Sequence, residues 1–109
     1  MKLQERKNRI AEFTKEIRES KKEISSDMKN DNYTGDKQNE LRDLKDSARH
    51  FIIAHSLRKR GITSEEIEKD SDTRIMDSIT SYGIETKWKE ENQPNIPLIR
   101  SFIKGFDHE

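Results

Sequence analysis

Two pairs of carboxylates stand three residues apart in this sequence, Glu16 with Glu19 and Glu40 with Asp43. In a helix, that spacing places both members of a pair on the same face. Clustered carboxylate oxygens are the ligands that a hard cation such as Mg²⁺ prefers, and a bound cation can in turn hold phosphate groups. The two pairs are therefore the arrangement in this sequence that comes nearest to a catalytic centre.

The spacing of these pairs resembles the paired acidic motifs of the all-α nucleoside triphosphate pyrophosphatases. In that family, carboxylates on facing helices bind magnesium and the substrate phosphates are hydrolysed, and the resemblance implies this role for Glu16, Glu19, Glu40 and Asp43. It covers the motif positions alone, because the surrounding residues lack the family's apolar density and the glycine beside the second pair. Acidic residues occupy 22 of the 109 positions, so pairs with this spacing also arise by chance. We therefore expect no metal ion, no cofactor and no enzymatic activity.

The three histidines, His50, His55 and His108, lack the spacing of a chelating pair. His50 and His55 are five residues apart and point to different sides of a helix, whereas metal-binding pairs on a helix are four apart. His55 falls on the predicted apolar face, where we expect a hydrogen-bonded core histidine, and Asp46 precedes His50 by one turn, as in a helical side-chain pair. The sequence contains no cysteine, which removes thiolate chemistry and cysteine-based zinc sites.

Charge is unevenly distributed along a chain whose formal net charge is zero. Residues 1–60 contain 16 Lys and Arg against 11 Asp and Glu, whereas residues 61–109 contain 6 against 11. The sequence thus predicts a basic helical hairpin over 1–60, followed by acidic short helices and a C-terminal arm over 61–109. A chain of 109 residues is long enough for one domain and too short for two, so both parts belong to the same domain.

Basic residues lie near the start of the first predicted helix and near the end of the second. In an antiparallel hairpin these two groups lie side by side, where they can follow a phosphate backbone and release its counterions. Helix capping offers another explanation for the second group, since cations suit the negative end of a helix dipole. The seven residues, which we call the basic end, are Lys2, Arg6, Lys7, Arg9, Arg58, Lys59 and Arg60.

Acidic residues dominate the segment that follows, with six Asp and Glu against two Lys and Arg in residues 61–83. The segment has the helix spacing of a helix-turn-helix motif, but an acidic recognition helix is repelled by phosphate. An acidic surface of this kind is instead electrostatically complementary to a basic protein surface, including one that normally holds DNA. The candidate partner-binding residues, which we call the acidic face, are Glu65, Glu66, Glu68, Asp72 and Asp77.

Residues 48–61 (ARHFIIAHSLRKRG), followed by Ser64, Ile67 and an apolar helix over 75–82, are similar to the helical part of the phage Gam-type inhibitors of host exonuclease. The resemblance covers less than half of the chain. It implies a small helical dimer that acts by blocking a DNA-binding surface. The absence of a catalytic constellation, together with the segregated charge, leads us to expect a non-enzymatic regulator or inhibitor, of the kind that phages or mobile elements encode, which acts through a protein partner. Weak, sequence-independent nucleic-acid binding by the basic end is the alternative.

Apolar residues in the first 28 positions recur at intervals of seven, three and four, which predicts one long helix. The seven-residue repeat of Leu3, Ile10, Ile17 and Ile24 forms a narrow stripe that needs a covering surface. We expect these four side chains to mediate self-association into a homodimer or larger oligomer. Turn-forming residues over 30–36 predict a reversal, and a second helix over 36–60 then ends before Gly61.

The remaining elements are predicted to be short. Thr63 and Glu66 form a capping box, and a second short helix begins around Asp72. Residues 84–93 alternate weakly, so they form a strand or an extended arm, in which Trp88 either anchors the arm or contributes to an interface. A last helix starts at Pro97, in the first turn where proline is tolerated.

That last helix is expected to end at Gly105 and to be held loosely. The predicted fold is therefore all-α: an antiparallel helical hairpin with two short helices and a loosely packed C-terminal arm and helix. Hydrophobic residues make up 28% of the chain and charged residues 40%, so its core is small. The longest apolar run has four residues, 51–54, too few for a signal peptide or a membrane span. With no cysteine, the chain suits a cytoplasmic location.

Overall fold

The computed structural model describes residues 1–30, 35–84 and 94–107. Within these ranges the chain is helical and contains no strand. The helices are α1 (Leu3–Lys29), α2 (Gly35–Lys59), α3 (Ser64–Lys69), α4 (Asp72–Ser81) and α5 (Ile96–Asp107). The predicted all-α class is confirmed. The prediction of a strand or arm over 84–93, with Trp88, falls outside the described residues except for Ile84, and so does His108.

The two long helices pack against each other as the predicted hairpin. Phe13 and Ile24 of α1 and Leu41 of α2 are buried. Near the turn, Lys37 Nζ forms a 2.8 Å ion pair with Glu23 of α1. The two charged helices are thus held together by one narrow row of apolar side chains, as the spacing of these residues in the sequence predicts.

The C-terminal helix is the centre of the core, so the expectation that it packs loosely is wrong. α5 packs against α2, α3 and α4. Ile99 and Ile103 are fully buried, and Ile96 and Phe106 are nearly so. The helix also continues past Gly105 to Asp107, because Phe106 lies within the core and its ring meets that of Phe51, with centroids 5.2 Å apart.

Helix ends follow local capping chemistry. Thr63 Oγ1 accepts a hydrogen bond from the Glu66 N–H at 3.4 Å, as the capping box predicts. α4 begins at Asp72, as predicted, and its N-cap is Ser71, whose Oγ accepts a hydrogen bond from the Arg74 N–H. Gly61 follows α2 with a φ of 99°, in the left-handed region where glycine carries no steric cost.

One arginine of α5 holds the two short helices together. Arg100 donates from Nη1 to the carbonyl of Ile67 and from Nη2 to the carbonyl of Asp70, the latter at 2.7 Å. Nη2 also lies 2.6 Å from Asp72 Oδ1. These contacts satisfy backbone groups at the end of α3 that its own turns leave unpaired. The connection between α3 and α4 is therefore fixed by α5.

The burial of α5 predicts a large difference between two isoleucine truncations. Ile103→Ala should lower the free energy of unfolding by about 2–5 kcal/mol, because it leaves a cavity in the core. Ile52→Ala, at a position 41% exposed, should change it by no more than about 0.5 kcal/mol. Urea denaturation followed by circular dichroism measures both values. Equal effects of the two substitutions would contradict the central position of α5.

Candidate functional site

The apolar stripe of α1 is largely covered by the chain itself. Ile24 is buried, and Ile10 and Ile17 are partly buried against the core. Leu3 remains 43% exposed. A second copy is therefore not needed to cover three of the four side chains, and self-association through this stripe stays a prediction.

Arg6 is buried, so its guanidinium has little free surface for the phosphate contact that the sequence predicts. Its residue is 6% exposed. Nε donates to His55 Nδ1 at 3.0 Å, Nη1 donates to the carbonyl of Met1 at 3.1 Å, and the guanidinium lies 5.3 Å from the centroid of the Phe106 ring. The guanidinium joins α1 to the C-terminal end of α2 and to α5.

Arg58 is also held within the fold. Its Nε lies 2.8 Å from Asp107 Oδ1, and Asp107 Oδ2 accepts a 2.7 Å hydrogen bond from the Ser64 N–H. Burial raises the pKa of Asp107, but the hydrogen bond from Ser64 and the guanidinium of Arg58 outweigh it, so that the pKa lies below its usual value. Asp107 thus joins α5 to α2 and α3. Sequence reasoning missed this role, because the two partners lie 49 and 43 residues away.

Arg9 and Arg60 are engaged as well. The Arg9 guanidinium lies 4.0 Å from the centroid of the Phe13 ring and forms an ion pair with Glu12 at 3.0 Å. Arg60 donates to the carbonyl of Ser56 at 3.0 Å, as the capping explanation for this cation predicts. Both side chains already have partners within the chain.

Three lysines complete the basic end, and all three are exposed. Lys2, Lys7 and Lys59 have no ion pair within the described part of the chain. The charges of Lys7 and Lys59 both act on His55. The predicted meeting of the start of α1 with the end of α2 is therefore present, although fewer cations are free there than the sequence indicates.

The acidic face is partly neutralised by basic residues of the same chain. Glu65 forms an ion pair with Lys69 at 3.4 Å in α3. Two cations of α5 form ion pairs with two more of these carboxylates: Lys104 lies 3.0 Å from Glu68, and Arg100 lies 2.6 Å from Asp72. The remaining two carboxylates, Glu66 and Asp77, are exposed and make no ion pair among the residues described.

The two carboxylate pairs are not assembled into a metal centre. Glu16 lies 3.8 Å from Arg9, and Asp43 lies 3.9 Å from Arg42. Glu40 lines a small polar cavity of about 200 Å³. Over residues 1–30, 35–84 and 94–107, no three His, Cys, Asp or Glu side chains come close enough to hold a metal ion.

The buried histidine is His50 rather than His55. His50 is 2% exposed, and His55 is partly exposed. His50 Nε2 accepts a 2.8 Å hydrogen bond from the Asn95 N–H, so the ring proton is on Nδ1, which lies 2.8 Å from the carbonyl of Asp46. The ring joins α2 to the residue before α5, a contact that the helical spacing of His50 could not reveal.

A groove between α1, α2 and α5 was not found by sequence reasoning. It has a volume of about 560 Å³, and we call it the aromatic groove. All four phenylalanines of the chain line it, and the ring of Phe51 lies 5.6, 5.3 and 5.2 Å from those of Phe13, Phe102 and Phe106. The other lining residues are Met1, Arg9, Leu44, Ser47, Ser101 and Gly105.

The partial burial of His55 and the cations around it make stability depend on pH. Burial, then the charges of Arg6, Lys59 and Lys7, lowers the pKa of His55 below its ordinary 6.5. The unfolded chain therefore binds this proton at a higher pH than the folded chain does. The contribution of His55 to the free energy of unfolding is complete above about pH 6.5, and it is lost as the pH falls through the lower pKa of His55 in the folded protein. His55→Gln, which keeps an acceptor for Arg6 but does not titrate, should show a smaller loss of unfolding free energy between pH 7.5 and pH 5.5, as measured by urea denaturation. Equal losses in both proteins would contradict the assignment.

None of the described helices is long and apolar enough to span a membrane.

Comparisons with known proteins assign no family to the chain. No family model, no curated protein and no solved structure is significantly similar to it.

Proposed function

We propose that this chain is a non-enzymatic regulator or inhibitor that binds a protein partner through its acidic face. The observation that carries the proposal is the fixed display of these carboxylates: Arg100 holds the end of α3 and the start of α4 in one arrangement. A carboxylate on a fixed support loses little conformational freedom when a partner binds it. The partner we expect is a basic protein surface, including one that otherwise holds nucleic acid.

The internal ion pairs do not prevent this role. Glu65 and Glu68 are paired at exposed positions, where an ion pair contributes little to stability and exchanges readily. Basic side chains of a partner can take the place of Lys69 and Lys104. Glu66 and Asp77 need no exchange, so we expect them to contribute most to the rate of association.

A charge reversal at these two positions tests the acidic face. Partner capture from a host-cell extract at moderate salt should retain a specific protein, and the doubly substituted Glu66→Lys, Asp77→Lys protein should lose it, because both positions then repel a basic surface. The matched control is Glu19→Lys with Glu40→Lys, which changes the net charge equally on the hairpin. Retention by all three proteins, or by none, contradicts the proposal.

Binding of nucleic acid by the basic end is the second candidate function. It is favoured by the position of Lys7 and Lys59, which come from the start of α1 and the end of α2, lie at the same end of the hairpin and both act on His55. With Arg6 buried and Arg58 tied to Asp107, few phosphate contacts are available. Such binding would be weak, independent of sequence and strongly reduced by salt.

A salt titration tests the second candidate. The logarithm of the binding constant for duplex DNA should fall linearly with the logarithm of salt concentration, with a slope that decreases by about 0.9 for each phosphate contact removed. Lys7→Glu with Lys59→Glu should therefore lower the slope by about 2 units, whereas Lys15→Glu with Lys22→Glu, an equal change of charge elsewhere on α1, should leave it nearly unchanged. Mobility shifts at several salt concentrations give the slopes. No shift at about 50 mM salt would exclude this function.

A further inference from the structure

We propose that the aromatic groove is a binding site for a small amphipathic carboxylate, with an apolar chain or ring and one acid group. The groove is lined by α1, α2 and α5 and has no lining residue from α3 or α4. It is therefore separate from the acidic face, and this proposal is independent of the proposed function.

The size and lining of the groove fit the apolar part of such a ligand. A volume of about 560 Å³ falls in the usual range of small-molecule pockets. Phenylalanine side chains line the groove, and Phe102 is the one of the four that is only partly buried, so an aliphatic chain or an aromatic ring would lie chiefly against Phe102. The groove is open along α5, because the lining residues Ser101 and Gly105 are small and a Cβ added at Gly105 would meet nothing within 4 Å.

The charge at the groove selects the head group. Among the described residues that line it, Arg9 is the sole charged side chain, and none is acidic. Arg9 forms ion pairs with Glu12 at 3.0 Å and Glu16 at 3.8 Å. Both glutamates are exposed and outside the groove lining, so a ligand carboxylate can compete for Arg9.

The distribution of apolar surface favours a small molecule over a protein. The large apolar side chains exposed on the described surface are Leu3, Met28, Ile52 and Tyr82, and none of them lines the groove. A stable protein interface needs roughly 800 Å² on each partner, with an apolar centre. Here the apolar surface that a ligand would meet is the groove lining, to which none of these four side chains contributes.

Three eight-carbon ligands with different head groups test the assignment. Octanoate, 1-octanol and octylammonium share one chain, and each can be titrated into ¹⁵N-labelled protein at millimolar concentration. Octanoate should shift the amide resonances of the groove residues saturably. We expect 1-octanol to bind more weakly than octanoate, and octylammonium to bind more weakly than 1-octanol. Arg9→Gln should weaken octanoate by about tenfold, the effect of losing one charge-assisted hydrogen bond, and leave 1-octanol unchanged.

A groove-filling variant provides the second test. Ser101→Leu should weaken octanoate and 1-octanol together, because the larger side chain occupies the groove, whereas Ser25→Leu on the exposed surface of α1 should weaken neither. Gly105→Leu fills the same space from the next turn, and circular dichroism reports whether each variant folds. If both groove variants unfold, the proposal is still tested by Arg9→Gln, which should weaken octanoate binding and leave 1-octanol binding unchanged.

Five results would overturn the proposal. The first four are no saturable shift with octanoate, equal affinity for all three ligands, unchanged binding in a folded Ser101→Leu protein, and a dimer that dissociates when the groove is filled. The fourth result would assign the groove to a second copy of this chain. Loss of a captured protein in the folded Ser101→Leu variant, with no octanoate binding by the parent protein, would assign it to a protein partner and also overturn the proposal.

Discussion

The packing of α5 into the angle between the hairpin and the short helices is the interaction on which the rest of the structure depends. With 28% hydrophobic residues, the chain can build one small core, and that core is incomplete without Ile99 and Ile103. α3 and α4 are too short to be stable alone, since short isolated helices are marginal in water. Their arrangement therefore follows from burial against α5.

Polar contacts then set the geometry that the apolar core leaves open. Arg6, His50, Arg100 and Asp107 each join parts of the chain that are far apart in sequence. Among the described residues, no buried side-chain nitrogen or oxygen lacks a hydrogen-bond partner. Since an unpaired buried polar group is costly, these contacts disfavour other packings of the same helices. A chain rich in charge can thus use some of its charged side chains as structural joints.

This use of charge changes the functional interpretation. Of the basic end, Arg6 is buried and Arg58 is held by Asp107, so the lysines remain as its free cations. The acidic face is less acidic than its sequence indicates, because α5 supplies Arg100 and Lys104. The aromatic groove, by contrast, is a product of the fold alone.

The sequence by itself determined the helices. α1 and α2 begin and end within one or two residues of their predicted bounds, and the cap at Thr63 and the stop at Gly61 are as predicted, since each depends on neighbours within a turn. Tertiary structure alone decided the burial of Arg6, the core position of α5 and the meeting of four phenylalanines. Spacing along one helix specifies which side chains share a face, but their surroundings are set by residues more than 40 positions away.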